Sequence, residues 1–253
     1  MTAIDKFTLT AIPLEQYFND TPLGHATGFL WDLQDKYYLV TNWHVLSAKD
    51  FFTQRNLRPD AGRPNVLRAR FQIPGQFQTQ EWRIAVRDEQ DAPLWLIHPA
   101  SRVDVAVLPF AVGQNPIVGL YPLNVLADDP LAIGIGMEVF ILGFPFKIAP
   151  PAFPVWKRGS IASEPELARI GGGYMHVDTA SRPGMSGAPV IRRSVGTHFL
   201  TDGSTLTDLK YKTRFLGVYS GRVPADHPYE AQIGLVWDAS YIYEIIAGGV
   251  RDA

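Results

Sequence analysis

Short apolar runs follow one another along almost the whole chain, and each run is bounded by glycine, proline, asparagine or aspartate. The runs are rich in Val, Ile, Phe and Tyr; they are ATGFLW, KYYLVTN, VLRARFQI, EWRIAVRD, DVAVLPF, MEVFILGF, GYMHVDT, GAPVI and TRFLGVYS. β-Branched and aromatic residues in short runs separated by turn residues are typical of strands. The pattern therefore predicts an all-β fold, either a sandwich or barrels.

Helical periodicity is confined to one segment near the end of the chain, DASYIYEIIAGG. Asp238 is a suitable N-cap, apolar residues recur at helical spacing after it, and Gly248 is a suitable stop. We predict a short C-terminal α-helix here. A single helical turn is also predicted just after His44, near VLSAKD.

A segment rich in proline and glycine and lacking alternation lies in the middle of the chain, GQNPIVGLYPLNVLADDPLAIGIG. It predicts a linker between two halves, each of which holds about six strand candidates, enough for a small closed barrel. The predicted units are residues 1–115 and residues 116–253, the second including the linker and the helix.

Composition narrows the classes of function. The 253 residues include no cysteine, which excludes disulfides, thiol nucleophiles and cysteine metal sites. The net charge of −2 gives no electrostatic reason to expect nucleic acid or an anionic membrane as a partner. The first twenty residues carry Asp5 and Glu15 and lack an apolar signal core. We expect a cytoplasmic protein, with export as the alternative.

The stretch SRPGMSGAPVI places Ser186 between Gly184 and Gly187 and leads into a strand-like run. Glycine permits backbone conformations that other residues avoid, and such clusters are usually connections between strands. On local grounds the stretch is either a plain tight turn or a device that presents Ser186.

Two distant residues change this interpretation. His44 follows the strand-like run in YYLVTNWHVL, and Asp104 interrupts the apolar run in SRVDVAVLPF. A serine hydroxyl becomes an effective nucleophile when an imidazole acts as its base, and a buried carboxylate orients that imidazole. Backbone N–H groups of Gly184 and Ser186 would stabilise the charge that develops on the attacked carbonyl.

The motifs LVTNWHVL, SRVDVAVL and DTASRPGMSGAPVI, in the order His, Asp, Ser, resemble the signatures of trypsin-like serine proteases, closest to the HtrA-like branch. HATGFLW, VFILGFPF, VWKRGSIAS, FLGVYSG and IGLVWDASYIYEII resemble further parts of that family, so the resemblance covers residues from about 24 to 247. It implies two six-stranded antiparallel β-barrels with the active site between them. It also implies His44 as base, Asp104 as its partner and Ser186 as nucleophile. The chain is expected to lack a PDZ domain.

The resemblance also implies how a substrate binds. A peptide would pair edge to edge with the strand formed by Val218, Tyr219, Ser220 and Gly221. Ala180 and Ser181 would line the pocket for P1, the substrate residue that precedes the cleaved bond. A small or medium apolar P1 residue is predicted, unless Asp178 points into the pocket. Met185 departs from the Asn or Asp of the family, so activation through a freed N-terminal amine is not expected.

These observations predict a serine endopeptidase with a polypeptide substrate and a regulatory protein as a further candidate partner. The alternatives are an inactive protease-like binding module and an esterase of unrelated fold, for which Gly-x-Ser-x-Gly before a helix would be required. No metal and no cofactor are predicted, because the histidines lack metal-ligand spacing and no nucleotide-binding loop is present.

Overall fold

The computed structural model describes residues 4–112, 117–145, 153–223 and 232–253. The predicted all-β class and the C-terminal helix are confirmed. The predicted boundary between residues 115 and 116 lies outside the described residues. Within the described ranges no helix has the length and apolar character needed to cross a membrane.

The elements of the first half are those expected from the short apolar runs, with turns at the polar and glycine-rich breaks. They are β1 (Ala11–Phe18), β2 (Thr21–Leu33), β3 (Lys36–Thr41), α1 (Trp43–Ser47), β4 (Val66–Gln72), β5 (Thr79–Ala85), β6 (Leu96–Ile97) and β7 (Ala106–Phe110). His44 lies inside the short helix α1, whereas the sequence placed a helical turn just after it.

The second half contains the remaining strands and two helices. These are β8 (Glu138–Gly143), β9 (Val155–Ile161), α2 (Pro165–Gly171), β10 (Tyr174–Asp178), β11 (Pro189–Phe199), β12 (Thr205–Arg222), β13 (Ile233–Asp238), α3 (Ser240–Gly248) and β14 (Val250–Arg251). In α3 the N-cap residue is Ala239, and the Asp238 carboxylate accepts a hydrogen bond from the Ser240 amide. The helix α2 was not predicted, because its apolar residues Leu167 (58% exposed) and Ile170 (84% exposed) form no buried stripe.

Six of the seven strands described in the second half, all except β14, form a closed antiparallel barrel in the order β10-β13-β12-β11-β8-β9. This barrel matches the one that the resemblance implies. The first half was expected to hold six strands. Its described residues instead form a sheet of eight strands together with β14, in the order β14-β6-β7-β3-β2-β1-β4-β5. The additional strands are short: residues 250–251 fold back from the end of the second half and pair with β6.

Three apolar cores follow from the alternation of side chains in these strands. One core fills the first sheet, with Leu39 and Leu67 among its members, and one fills the barrel. The third joins the two halves, and there the rings of Phe29 and Phe215 meet edge to face at 5.5 Å. The crevice between the halves is therefore fixed by a shared core, and the candidate catalytic residues lie on either side of it.

Besides the pairing of β14 with β6, one carboxylate connects the residues after α3 to the first half. Asp252 accepts hydrogen bonds from the indole N–H groups of Trp43 (2.8 Å) and Trp95 (3.1 Å). Trp95 is completely buried, and Trp43 directly precedes His44. A buried indole N–H that loses its acceptor carries a desolvation penalty. Asp252 therefore stabilises α1 and the edge of the first sheet.

We expect Asp252→Ala to lower the free energy of unfolding by about 1–3 kcal/mol, because both indoles lose their acceptor. For a chain of this size this corresponds to a fall of roughly 2–10 °C in the midpoint of thermal unfolding. Glu89→Ala, at an exposed position on the same half, is the matched control and should change stability by less than about 0.5 kcal/mol. Equal midpoints for the two variants would contradict the role of Asp252.

Candidate active site

Asp104 is a buried carboxylate with several donors. It lies two residues before β7 and is 1% exposed. It accepts hydrogen bonds from the His44 amide (2.9 Å), from the His44 ring at Nδ1 (2.6 Å) and from the Ser220 hydroxyl. The Asn42 side chain donates to the Asp104 carbonyl at 2.6 Å. A buried carboxylate stays charged when donors of this kind compensate its desolvation.

His44 projects from the first turn of α1, and its side chain is 18% exposed. Because Nδ1 donates to Asp104, Nε2 is left as the basic nitrogen of the neutral ring, an assignment made from the hydrogen bonds. Burial lowers the pKa of His44, but the charge and hydrogen bond of Asp104 and the charge of Asp50 raise it. The net effect is a pKa above the ordinary value of 6.5.

The loop before Ser186 is a tight turn of defined type. The Met185 amide donates to the Arg182 carbonyl at 3.2 Å, Pro183 is the second residue and Gly184 is the third, with φ +99°. Positive φ at the third position, with proline at the second, defines a type II turn. Within the described residues neither the Gly184 amide nor the Ser186 amide donates to a protein acceptor. Both predicted oxyanion-hole donors are therefore available to a ligand.

Thr27 of β2 holds this loop from the other half of the molecule. Its amide donates to the Ser186 carbonyl (2.8 Å), and its hydroxyl donates to the Gly184 carbonyl (2.8 Å). The hydroxyl also accepts from the Phe144 amide at 3.1 Å, and the Thr27 carbonyl accepts from the Thr41 hydroxyl at 2.8 Å. The sequence analysis missed Thr27; the only signal was a polar residue within the apolar run ATGFLW.

Met185, the departure from the family pattern, is 1% exposed and belongs to the core of the barrel. Its sulfur packs against Gly143 of β8, at a position with no room for a larger residue. The residue that precedes Ser186 is thus anchored by apolar packing and not by an ion pair. A freed N-terminal amine has no carboxylate to meet at this position.

Two sets of contacts link the segments that carry His44 and Ser186. Ser186 is tied to Thr27, and Thr27 is tied to Thr41, three residues before His44. The Ser220 hydroxyl contacts Asp104, and the neighbouring Tyr219 backbone pairs with residues 187 and 188. No hydrogen bond joins the His44 ring to the Ser186 hydroxyl in the part of the chain that is described. Such contacts are often long in a protein without substrate.

The predicted substrate-binding strand needs a correction. Val218 lies between Pro189 of β11 and Trp237 of β13, so its backbone already has partners on both sides. Tyr219 donates to the Ala188 carbonyl (2.9 Å) and accepts from the Gly187 amide (2.8 Å). Neither residue can pair with a peptide. The pairing with β11 ends before Ser220, which leaves Ser220 and Gly221 as the predicted edge.

Ala180 and Ser181 lie just before the turn, half-buried and buried respectively. The Ser181 hydroxyl accepts a hydrogen bond from the Tyr219 hydroxyl. Asp178 is exposed, and the preceding Val177 belongs to the core of the barrel. Because side chains alternate along a strand, Asp178 of β10 points away from the barrel interior.

The chain has two antiparallel β-units, with His44 and Asp104 on one and Ser186 on the other. This arrangement is that of the serine peptidases of chymotrypsin-like fold. The profile of the trypsin-like peptidase domain matches residues 26–197. The chain therefore belongs to the trypsin-like peptidase family, a family of serine endopeptidases.

Solved structures of proteases have the same fold. The serine endoprotease from Yersinia pestis is similar with a TM-score of 0.54 and 15% identity, over 100% of this chain and 68% of that one. The active form of the Rv3671c protease from M. tuberculosis is similar with a TM-score of 0.51 and 17% identity, over 98% of this chain and 83% of that one. COBRA-like protein 9 of Arabidopsis thaliana is 23% identical over 79% of this chain, which spans 28% of that protein's length.

We expect Thr27→Val to slow acylation of Ser186 by a fluorophosphonate about 10- to 100-fold, because the turn loses the hydroxyl that fixes the Gly184 carbonyl and small displacements of reacting groups are costly. Thr27→Ser keeps the hydroxyl and should restore most of the rate. Thr213→Val removes another buried threonine hydroxyl on β12 and is the control for stability alone. An unchanged rate in folded Thr27→Val would contradict the role of Thr27.

The raised pKa of His44 can be measured directly by NMR titration of the ring protons, with the resonance assigned by its loss in His44→Gln. Asp104 stabilises the protonated ring, so the midpoint should lie above 6.5 in the native protein. In Asp104→Asn burial remains while the carboxylate is absent, and the midpoint should fall below the native one. A midpoint that does not fall would show that Asp104 does not govern the protonation of His44.

Proposed function

We propose that this protein is a serine endopeptidase that hydrolyses peptide bonds through an acyl-enzyme on Ser186. The observation that carries the proposal has two parts. The buried carboxylate of Asp104 accepts a hydrogen bond from the His44 ring, and the type II turn before Ser186 leaves the amides of Gly184 and Ser186 without a protein acceptor among the described residues. Family membership and fold support the same chemistry.

In the proposed reaction the Ser186 oxygen attacks the substrate carbonyl while its proton passes to Nε2 of His44. The carbonyl oxygen becomes negative and accepts hydrogen bonds from the Gly184 and Ser186 amides. The imidazolium, stabilised by Asp104, then gives the proton to the leaving amine as the C–N bond breaks. A water molecule, deprotonated by His44, cleaves the ester and releases Ser186.

The proposed substrate is a polypeptide that binds in extended form along Ser220 and Gly221, adding a strand at the edge where β12 has lost its β11 partner. A regulatory protein partner and a cytoplasmic location are proposed on the sequence alone. The sequence between His44 and Asp104 is rich in arginine, which would suit a partner with an acidic surface. Three of these arginines, Arg58, Arg63 and Arg70, form ion pairs with Asp60, Asp91 and Glu15, so they offer little free positive charge.

The second candidate is an inactive protease-like binding module. It is favoured by the lack of a hydrogen bond between the His44 ring and the Ser186 hydroxyl in the described part of the chain. The buried charge on Asp104 argues against it, because a scaffold gains nothing from holding a carboxylate in its interior for one imidazole. Reaction of Ser186 with an electrophile separates the two candidates.

We expect the native protein to be labelled at one residue, Ser186, by a fluorophosphonate, and to cleave a denatured protein such as casein. Ser186→Ala should abolish both reactions. Asp104→Asn should lower kcat/KM by about 10³- to 10⁴-fold, because the imidazole loses its orienting partner. Labelled protein is digested and the modified peptide identified by mass spectrometry.

The matched control is Ser194→Ala. The Ser194 hydroxyl also contacts an imidazole, Nδ1 of the buried His198, at 2.6 Å. It therefore tests whether a serine beside a histidine is sufficient for labelling. Ser194→Ala should retain the native rate. Failure of the folded native protein to label would favour the binding module, and labelling at Ser194 would overturn the assignment of the nucleophile.

A further inference from the structure

Tyr219 is a large aromatic residue that lies directly behind the candidate nucleophile. Its backbone forms hydrogen bonds with Gly187 and Ala188, the two residues after Ser186. Its side chain is completely buried. Val218 belongs to the core shared by the two halves, and the Ser220 hydroxyl contacts Asp104. Because side chains alternate along β12, Tyr219 points the opposite way, into the end of the barrel.

Inside the barrel the Tyr219 ring spans the distance between two chain segments. Its hydroxyl donates to the Ser181 hydroxyl, on the segment that leads to Ser186. Its ring edge and hydroxyl lie against Gly234 of β13, where a Cβ atom would clash with the ring. The two segments are joined by a hydrogen bond from the Thr179 amide to the Gln232 carbonyl at 2.8 Å. The ring thus closes the space between them.

This space is where a P1 side chain would enter. A peptide paired with Ser220 and Gly221, with its carbonyl near the Gly184 and Ser186 amides, has its P1 side chain directed between Ser181 and β12. In that direction the side chain meets the Tyr219 ring. The depth available to it is therefore set by the tyrosine.

We propose that Tyr219 is the specificity-determining residue of this site and restricts cleavage to peptides with a small uncharged P1 residue, namely glycine, alanine or serine. The proposal rests on the proposed function. It replaces the sequence-based expectation of a small or medium apolar P1 with a physical limit on size.

The groups around the ring agree with an uncharged P1. Ala180 and Ser181 carry no charge, and Asp178 points away from the barrel interior. The charge of Arg222 acts on the Tyr219 phenol, where it favours the ionised form slightly. Burial raises the pKa of Tyr219 to about 12, partly offset by Ser181 and Arg222, so the phenol keeps its proton and its bond to Ser181.

The native protein gives the first test. A set of fluorogenic peptides that differ only at P1 (Gly, Ala, Ser, Val, Leu, Phe, Lys) is assayed for kcat/KM, after fluorophosphonate labelling has established that Ser186 is active. We expect alanine to exceed leucine and phenylalanine by at least about 10- to 100-fold, the range that a few excess carbons cost in a closed pocket. A native preference for Leu, Phe or Lys would overturn the proposal.

Variants at Tyr219 give the second test. Tyr219→Val removes the ring and should raise kcat/KM for the leucine and phenylalanine peptides about 10-fold relative to alanine. Tyr219→Leu keeps more of the core filled and serves if the valine variant does not fold. Tyr219→Phe retains the ring and is the control that should keep the native profile. A folded, alanine-cleaving Val or Leu variant with the native profile would also overturn the proposal.

The two proposals fail separately. A native protein that does not label at Ser186 refutes the endopeptidase function before any P1 comparison is made. A protein that labels at Ser186 and prefers large P1 residues is still an endopeptidase, and it refutes only the size limit assigned to Tyr219.

Discussion

The hydrogen bonds of Thr27 connect the two halves of the molecule at the loop that carries Ser186. The amide of this residue fixes the Ser186 carbonyl, and its hydroxyl links the Gly184 carbonyl to the Phe144 amide. Its own carbonyl is held by Thr41, which lies at the end of the strand that leads to His44. His44 and Ser186, the proposed base and nucleophile, therefore have one rigid reference in common. Their geometry depends on β2 although β2 supplies no catalytic side chain.

The other supports of the loop described above come from the second half of the chain. Proline and glycine set the type II turn, and within the described residues the Gly184 amide donates to no protein acceptor. Met185 contributes apolar packing against Gly143 within the core of the barrel. Packing of this kind does not depend on an N-terminal amine or on pH. A resting loop with both amides free is consistent with an enzyme that is competent as synthesised.

The sequence alone was sufficient for the all-β class, the C-terminal helix and the family, because strand patterns and the motifs around His44, Asp104 and Ser186 are local. It was not sufficient for contacts between distant residues. No local sequence pattern indicates that Asp252 accepts hydrogen bonds from the indoles of Trp43 and Trp95. None indicates that residues 250–251 fold back and pair with β6 either. Val218 was assigned to the substrate edge because a motif marks a strand but does not show where its neighbour ends.

One strand, β12, shows how closely the functions of the site are coupled. Val218 packs in the core between the halves, Tyr219 enters the barrel and Ser220 contacts the Asp104 carboxylate. The period of two places Val218 and Ser220 on one face of the strand and Tyr219 on the other, so a shift of one residue in register would exchange the two faces. The backbone bonds of Tyr219 to residues 187 and 188 oppose such a shift. The same bonds that hold the tyrosine ring behind Ser186 therefore also keep Ser220 on Asp104, so the proposed limit on P1 size and the contacts of Asp104 have a common origin.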